Sequence, residues 1–167
     1  MNKDLKYTAT HDHLTGLINR HSIQEHFDQV LTSYNNNKHP FSIILADIDN
    51  FKKINDTYGH SAGDTILQGV SYIITSSVCD TDLVCRWGGE EILILTKTDL
   101  DATISLAEKI RENIAHATFI SEENNIQVTI TAGVATYKNN ESIDKLIQIA
   151  DSNLYKGKNS TKNCVVS

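Results

Sequence analysis

The chain has 167 residues, which is the size of one domain and enough to bury a substantial core. Its 21 acidic and 15 basic side chains give a formal net charge of −6, and this argues against a DNA or RNA polymer as partner, because proteins that bind such polymers are usually basic. No apolar run is long enough to cross a bilayer, and the polar start Met1–Thr15 does not resemble a signal peptide, so we expect a cytoplasmic location. The three cysteines have neither CxxC nor zinc spacing and are interpreted as reduced thiols.

The first half of the chain alternates between helical and strand patterns. The first 36 or so residues are mainly helical in pattern, with a break near "LTGLINR" and a loop that ends at Pro40. "FSIILADI" is a continuous apolar run of strand length, which is typical of a strand buried on both faces. The Asn-, Asp- and Gly-containing segment "NFKKINDTYGHSAG" predicts a loop. "AGDTILQGVSYIITSSV" then has apolar residues at helical spacing.

In the second half, two apolar runs in "LVCRWGGEEILILT" meet at Gly88-Gly89, which predicts a β-hairpin with a tight primed turn. "LDATISLAEKIRENIAHA" predicts an amphipathic helix, and the alternation in "IQVTITAGVATY" predicts a strand. "SIDKLIQIADSNLYKGK" predicts a last helix, and "NCVVS" a short terminal strand. Strands and helices mixed in this way predict an α+β fold, with a mixed sheet and helices packed against it.

Acidic side chains stand at three places where a strand ends or the chain turns. These are Asp47 and Asp49, Asp56 and Asp64, and Glu90 and Glu91. Carboxylates are costly to bury unless they are paired or bound to metal, and oxygen ligands of this kind suit Mg²⁺. Because neighbouring strand residues point to opposite faces, Glu90 and Glu91 are expected to differ in role unless the backbone twists at the turn.

Each of these signals also has a purely structural alternative. An acidic pair at a turn is usually solvated, an Asp-x-Asp at a strand end is often a cap, and Lys52-Lys53 is typical of a surface. The short loop around these lysines could instead present backbone N–H groups to phosphate. A zinc site at His11-Asp12-His13 is rejected, because positions i and i+2 of a helix do not share a face. Only the joint order of the signals is informative.

That order resembles the GGDEF family, the diguanylate cyclases, over nearly the whole chain. "DHLTGLINR" (12–20) resembles the opening motif of the family, and "DIDNFKKINDTYGHSAGDTIL" (47–67) its metal and guanine segment. "RWGGEEI" (86–92) resembles the signature, with Glu at its third place, and "ADSNLYKGKNSTKN" (150–163) resembles the closing helix more loosely.

The resemblance implies a central, mostly antiparallel sheet flanked by helices, related to nucleotide cyclases and polymerase palm domains (ferredoxin-like). It implies condensation of two GTP molecules into cyclic di-GMP with release of two pyrophosphates. Each subunit of a homodimer would hold one GTP, with Mg²⁺ as the metal and Mn²⁺ as a substitute.

The family pattern also implies roles for individual residues. Metal ligands would be Asp47, the Ile48 carbonyl and Glu90, and the catalytic residues would be Glu90 and Glu91, with Glu91 either near the second metal or ribose or purely structural. Substrate-binding residues would be Asn50, Phe51 and Lys52 for phosphate, Asn55 and Asp64 for the guanine edge, His60 lining the site or packing in its loop, and Lys158 and Lys162 for the terminal phosphates. Arg86 would support the hairpin rather than the chemistry.

The sequence departs from the family at several positions. Ile92 replaces the usual Phe of the signature, and Thr161 and Lys162 replace the usual Gly and Arg, which implies a weaker grip on pyrophosphate because lysine lacks the bidentate fork. Many members carry an inhibitory RxxD site for cyclic di-GMP before the signature. Here Cys79 stands in place of its Arg while Asp82 is retained, so we expect ordinary product inhibition to be absent.

Residues 1–167 are thus interpreted as one GGDEF domain, as a fragment of a longer signalling protein with an upstream sensory domain that brings two catalytic domains together. Membrane anchoring through such an upstream region is compatible with this reading. The main functional alternative is a catalytically weak domain that binds GTP as a regulatory module. A partner-binding scaffold without nucleotide is a third interpretation.

Overall fold

A computed structural model describes residues 3–167. Its helices are α1 (Lys3–Thr10), α2 (Ile23–Asn37), α3 (Phe51–Tyr58), α4 (His60–Ser77), α5 (Leu100–His116) and α6 (Ile143–Lys158). Its strands are β1 (Ile18–Asn19), β2 (Ser42–Ile48), β3 (Leu83–Arg86), β4 (Glu91–Thr96), β5 (Phe119–Ser121), β6 (Asn124–Ile126), β7 (Ile130–Thr136) and β8 (Val165–Val166).

Six of the strands form one sheet in the order β1-β3-β4-β2-β7-β8, and β5 and β6 form a separate hairpin. The three central pairings, β3–β4, β4–β2 and β2–β7, are antiparallel, whereas the short edge strands β1 and β8 pair in parallel. The prediction of a mostly antiparallel sheet flanked by helices is therefore confirmed. The predicted terminal strand is also present, as β8.

The two faces of the sheet carry separate cores because strand side chains alternate in direction. On β2, Ile44 and Ala46 belong to the core under α4 and α5, and Ile43 and Leu45 belong to the core under α2 and α6. This explains why the strand is apolar without a break in sequence. The same alternation directs Asp47, two residues after Leu45, to the α6 side.

Helix α6 lies unusually close to the sheet. A Cβ atom added at Gly133 of β7 would lie 2.0 Å from the Ala150 carbonyl oxygen and 2.5 Å from the Leu154 nitrogen. Ser142 caps the helix, since its hydroxyl accepts a hydrogen bond from the Lys145 N–H over 3.1 Å. The close packing delivers the C-terminal end of α6 to the edge where β2 ends.

The structure differs from the sequence prediction in five places. Helix α3 occupies part of the segment predicted as a loop; the predicted strand over 126–137 is broken, so that β7 starts only at Ile130; and strand β1 and the β5–β6 hairpin were not predicted. The primed turn at Gly88-Gly89 is also wrong. Among the glycines of residues 3–167, positive φ occurs at Gly16 and Gly59, so the hairpin closes through a wider turn between Arg86 and Glu91.

None of the helices within residues 3–167 combines the length and the apolar character needed to span a membrane.

Candidate active site

The ends of β2 and β4 bring the predicted metal ligands together. Asp47 lies directly opposite Glu91 in the β2–β4 pairing, and the Ile48 N–H donates to the Glu90 carbonyl oxygen over 3.4 Å. Glu90 therefore sits in the turn just before β4, beside Asp47 and Ile48. The apolar residues of β2 are buried as far as Ala46, and Asp47, near the end of the strand, is partly exposed.

Glu91 occupies a different position from Glu90, as the alternation of strand residues predicts. It is the first residue of β4 and is half-buried on the same face as Asp47. Its carboxylate folds back under the turn, so a Cβ at Gly88 would lie 2.8 Å from Glu91 Oε2. A Cβ at Gly89, by contrast, would meet nothing within 4 Å. The first glycine thus makes room for Glu91, and the second leaves the outer face of the turn open.

Burial and mutual repulsion raise the pKa values of two of these carboxylates, Asp47 and Glu91. Burial raises the pKa of Asp47, as do the charges of Glu90 and Asp49, although Lys158 opposes the shift. The pKa of Glu91 is also raised, by burial first and then by Asp47, Asp151 and Glu90. A group of acids that raise one another's pKa gains free energy when a cation joins it.

Asp49 joins the end of β2 to the closing segment of the chain. Its carboxylate is 1% exposed and accepts hydrogen bonds from the Thr129 and Thr131 hydroxyls over 2.7 Å and from the Asn163 N–H over 3.0 Å. Lys158 Nζ lies 2.7 Å from the same carboxylate and is also paired with Asp47. These bonds lower the pKa of Asp49 despite its burial, which alone would raise it.

The residues predicted to contact phosphate lie around the start of α3. Asn50 precedes the helix in a left-handed conformation with φ of 57° and does not cap it; its side-chain oxygen instead accepts from Lys162 Nζ over 2.7 Å. Phe51 is half-buried, and Lys52 is exposed. The first N–H groups of a helix are natural donors to an anion, so this turn together with Lys162 can hold phosphate.

The predicted guanine residues lie where α3 meets α4. Asn55 Oδ1 is buried and has no hydrogen-bond partner within residues 3–167. It points at Gly63, where a Cβ would lie 1.8 Å away. Asp64 is exposed one turn into α4, and His60 is exposed at its first position. An unpaired buried acceptor is costly unless a ligand supplies a donor, as the N–H groups of guanine would.

The donor set at the β2 edge is that of a hard cation. No three His, Cys, Asp or Glu side chains between residues 3 and 167 converge as a ready-made metal cluster. Two carboxylates, Asp47 and Glu90, with the Ile48 carbonyl nevertheless suit Mg²⁺, which binds few protein ligands and takes the rest from water and phosphate. The residues present therefore fit this metal.

Two structural features of the site did not emerge from sequence reasoning. One is the complete set of partners around Asp49, for which the Asp-x-Asp spacing was the only signal. The other is the bracing of the Gly-Gly turn from the N-terminal motif: Arg86 donates to the Gly89 carbonyl over 2.9 Å and to Asp12 over 2.9 Å, and Arg20 stacks on Trp87. The predicted supporting role of Arg86 in the hairpin is confirmed.

Comparison with known proteins agrees with this architecture. The chain is 39% identical over 168 residues to diguanylate cyclase DgcM of Escherichia coli, covering 100% of this chain and 40% of that protein. Among solved structures, the active GGEEF domain of a diguanylate cyclase from Vibrio cholerae is 32% identical with a TM-score of 0.84, covering 90% of this chain and 96% of that one. The coiled coil and GGDEF domain of DgcB from Caulobacter crescentus, in complex with c-di-GMP, is 26% identical with a TM-score of 0.92, covering 98% of this chain and 88% of that one.

The chain spans about two fifths of the length of DgcM, so the match concerns one part of that protein. The family model described as "Diguanylate cyclase, GGDEF domain" matches residues 9–164, which is nearly the whole chain. The four sequence motifs, strands β1 to β7 and the carboxylates at the end of β2 all fall within this match. The chain belongs to the GGDEF family of diguanylate cyclase domains.

Proposed function

We propose that this domain condenses two GTP molecules into cyclic di-GMP and two pyrophosphates. The observation that carries the proposal is the meeting of Asp47, Ile48 and Glu90 at one sheet edge, beside the cationic side chains of Lys158 and Lys162. This arrangement suits a metal-bound triphosphate, because the acids can hold the metal ion while the lysines contact the phosphates directly. The similarity to the GGEEF domain of Vibrio cholerae, described as active, supports the same activity here.

In this proposal Asp47, Ile48 and Glu90 hold Mg²⁺, with Mn²⁺ as a substitute. The bound metal would neutralise the triphosphate and lower the pKa of the attacking hydroxyl. Asn55 and Asp64 bind guanine, since a carboxylate and an amide oxygen accept from its N1–H and N2–H₂ groups, which adenine cannot offer. The first turn of α3, from Asn50 to Lys52, and Lys162 hold the phosphates. His60 lines the site.

Each bond is made across a two-fold axis between two such domains. The 3′ oxygen of one GTP attacks the α-phosphorus of the other, the bond from that phosphorus to the β-phosphate oxygen breaks, and pyrophosphate leaves. Glu90 accepts the proton of the 3′-hydroxyl. Two such steps close the ring. Glu91, half-buried under Gly88, holds the turn and the ribose end in place rather than exchanging protons.

One observation favours a second function, that of a GTP-binding regulatory module. Lys158 Nζ is paired with both Asp47 and Asp49. A phosphate has to compete with these carboxylates for Lys158, and Lys162 grips less firmly than an arginine would. Both functions include GTP binding, but only the cyclase releases pyrophosphate.

Turnover with GTP and Mg²⁺ at high protein concentration, with products separated by chromatography, tests the proposal. We expect cyclic di-GMP from the parent and none from Glu90→Ala. If the parent is silent, a dimerising helix is fused upstream and the assay repeated. Continued silence with GTP bound would favour the regulatory module, and absence of Mg²⁺-dependent GTP binding would favour a scaffold.

A further inference from the structure

The opening motif ends in an arginine that reaches the signature turn. The Cζ atom of Arg20 lies 4.1 Å from the ring centroid of Trp87, the residue immediately before Gly88. This distance is well inside the range of a cation–π contact. Strand β1 makes the contact possible, because its pairing with β3 sets Asn19 opposite Arg86 and so brings Arg20 alongside Trp87.

Trp87 is fastened to Glu91 by its backbone. The N–H groups of Trp87 and Gly88 both donate to the Glu91 carbonyl oxygen, over 2.8 and 3.2 Å. The Trp87 ring packs against the core under α2 and α6, and the Glu91 carboxylate lies under Gly88. A displacement of the ring would therefore move the backbone that precedes Glu90.

The inner face of the turn is fixed by the Glu91 side chain. A Cβ atom at Gly88 would lie 2.8 Å from Glu91 Oε2, and Asp47 lies directly opposite Glu91 in the β2–β4 pairing. A turn that moved with a displaced Trp87 ring would lose this contact.

We propose that Arg20 is a positioning residue for the signature turn: its guanidinium holds the Trp87 ring, and thereby the backbone carrying Gly88, Gly89 and Glu90, next to the Glu91 carboxylate. The planar guanidinium is required for the stack on the Trp87 ring. The catalytic consequence of this proposal rests on the proposed cyclase function, but the placement of the turn does not.

Placement of the turn is tested by amide hydrogen exchange at Trp87 and Gly88, measured by NMR without nucleotide. Arg20→Gln is expected to speed exchange at both amides by roughly two- to fivefold, the size of an exposed cation–π contact. Arg20→Lys keeps the charge but lacks the flat fork, so an intermediate effect is expected. Lys109→Gln, which removes an exposed charge from α5, is the matched control and should leave both amides unchanged.

Tryptophan fluorescence gives an independent measurement, because Trp87 is the single tryptophan of the sequence. Its fluorescence emission should change in Arg20→Gln but not in Lys109→Gln. A double-mutant cycle assigns the effect to the stack: in a Trp87→Leu background, Arg20→Gln should no longer alter exchange at Gly88. Unchanged exchange in Arg20→Gln, or an equal change with and without the ring, would overturn the proposal.

The catalytic consequence is tested by steady-state turnover of the same variants. Arg20→Gln should lower kcat by roughly tenfold while KM for GTP stays within about twofold, because a misplaced turn affects bond making more than nucleotide binding. Faster amide exchange with unaltered kcat would refute a role in the reaction. Continued silence of the parent chain after a dimerising helix is fused upstream would refute the cyclase function, and the exchange data would still decide the placement of the turn.

Discussion

At the residue scale, we expect Asn55 to contribute more to nucleotide binding than to the stability of the fold. Its buried Oδ1 has no partner within residues 3–167, so Asn55→Ala removes no hydrogen bond made through that oxygen. We expect the free energy of unfolding to change by about 1 kcal/mol or less. GTP affinity should fall roughly tenfold and the preference over ATP should shrink, because an acceptor for guanine is lost.

Calorimetric titration with GTP and ATP, together with urea unfolding, measures both effects. Asn113→Ala on α5 is the control, since it removes an exposed asparagine whose side-chain amide donates to the Ser77 hydroxyl over 3.5 Å. A large loss of stability with the base preference intact would show that Asn55 is structural.

Cys79 is the residue on which the predicted absence of product inhibition rests. It is exposed after α4, and its N–H donates to Asp82 Oδ2 over 2.9 Å, so the retained aspartate caps a turn. Without an arginine fork for the phosphate and guanine of the product, we expect no cyclic di-GMP binding at low micromolar concentration through this surface.

Titration calorimetry with cyclic di-GMP checks this prediction, and Cys79→Arg is the informative variant. Cys79→Ser is its control, because it changes the side chain without adding a donor fork. Micromolar binding by the parent that Asp82→Ala abolishes would contradict the prediction.

At the element scale, the contact of α6 with β7 sets the position of Lys158. At Gly133 a Cβ would run into the helix backbone, which cannot rotate away as a side chain does. Gly133→Ala should therefore cost about 2 kcal/mol or more of unfolding free energy and should also weaken GTP binding, because α6 carries Lys158.

Gly69→Ala is the matched comparison for urea unfolding and GTP titration. Its Cβ would lie 2.6 Å from the Phe119 ring, a side chain on the small β5–β6 hairpin that can shift. We expect a smaller loss of stability there and unchanged GTP affinity. Equal losses in both variants, or Gly133→Ala with normal GTP binding, would argue against control of the site by helix packing.

The contact between the opening motif and β3 gives the fold a defined acid sensitivity. Burial alone would raise the pKa of Asp12, but hydrogen bonds from Thr15 and from Arg86 lower it overall. A carboxyl whose pKa is depressed by folding contributes stability above its unfolded pKa of about 3.9, and this contribution is lost as pH falls through the folded pKa.

Asp12→Asn should therefore be less stable than the parent at pH 7, and the gap should narrow below about pH 4. Urea midpoints across this pH range measure the effect. Asp28→Asn, which removes an exposed carboxylate from α2, should show no such convergence. A gap that stays constant with pH would mean that the asparagine disturbs packing rather than the ion pair.

Sequence periodicity was sufficient for the long elements but not for contacts between distant segments. The apolar run of β2 and the helical spacing of α4 to α6 reflect burial of each element along its own length, so a local pattern predicts them. The motifs also predicted which residues gather at the β2 edge. Strand β1, at two residues, is too short for any period, and the β5–β6 hairpin is held by non-local packing.

The turn at Gly88-Gly89 shows why local turn rules failed. Gly-Gly is typical of primed turns because glycine accepts positive φ, but neither Gly88 nor Gly89 has a positive φ here. Gly88 makes room for the Glu91 carboxylate, which only the folded hairpin brings back under the turn. The pairing of Lys158 with Asp47 and Asp49 was likewise invisible, because it joins residues more than 100 positions apart.

At the scale of the whole molecule, the proposed reaction requires two domains, since each GTP must meet the α-phosphorus of another. We expect turnover per protomer to rise with protein concentration and then level off as dimers saturate. On that plateau, adding an equal amount of Glu90→Ala should roughly halve turnover per parent protomer, because mixed dimers cannot complete both bonds.

The experiment measures cyclic di-GMP formation at a fixed concentration of the parent while the concentration of Glu90→Ala is increased. Lys109→Gln, added in place of Glu90→Ala, tests for effects of protein concentration alone. Because dimers that contain Lys109→Gln should be active, total turnover should then rise instead of falling. The domain's formal charge of −6 opposes association at low ionic strength, so moderate salt should shift the rise in turnover to lower protein concentration. Turnover per protomer that is independent of concentration and unaffected by Glu90→Ala would mean that one domain completes the reaction alone, and the two-fold arrangement would then be wrong.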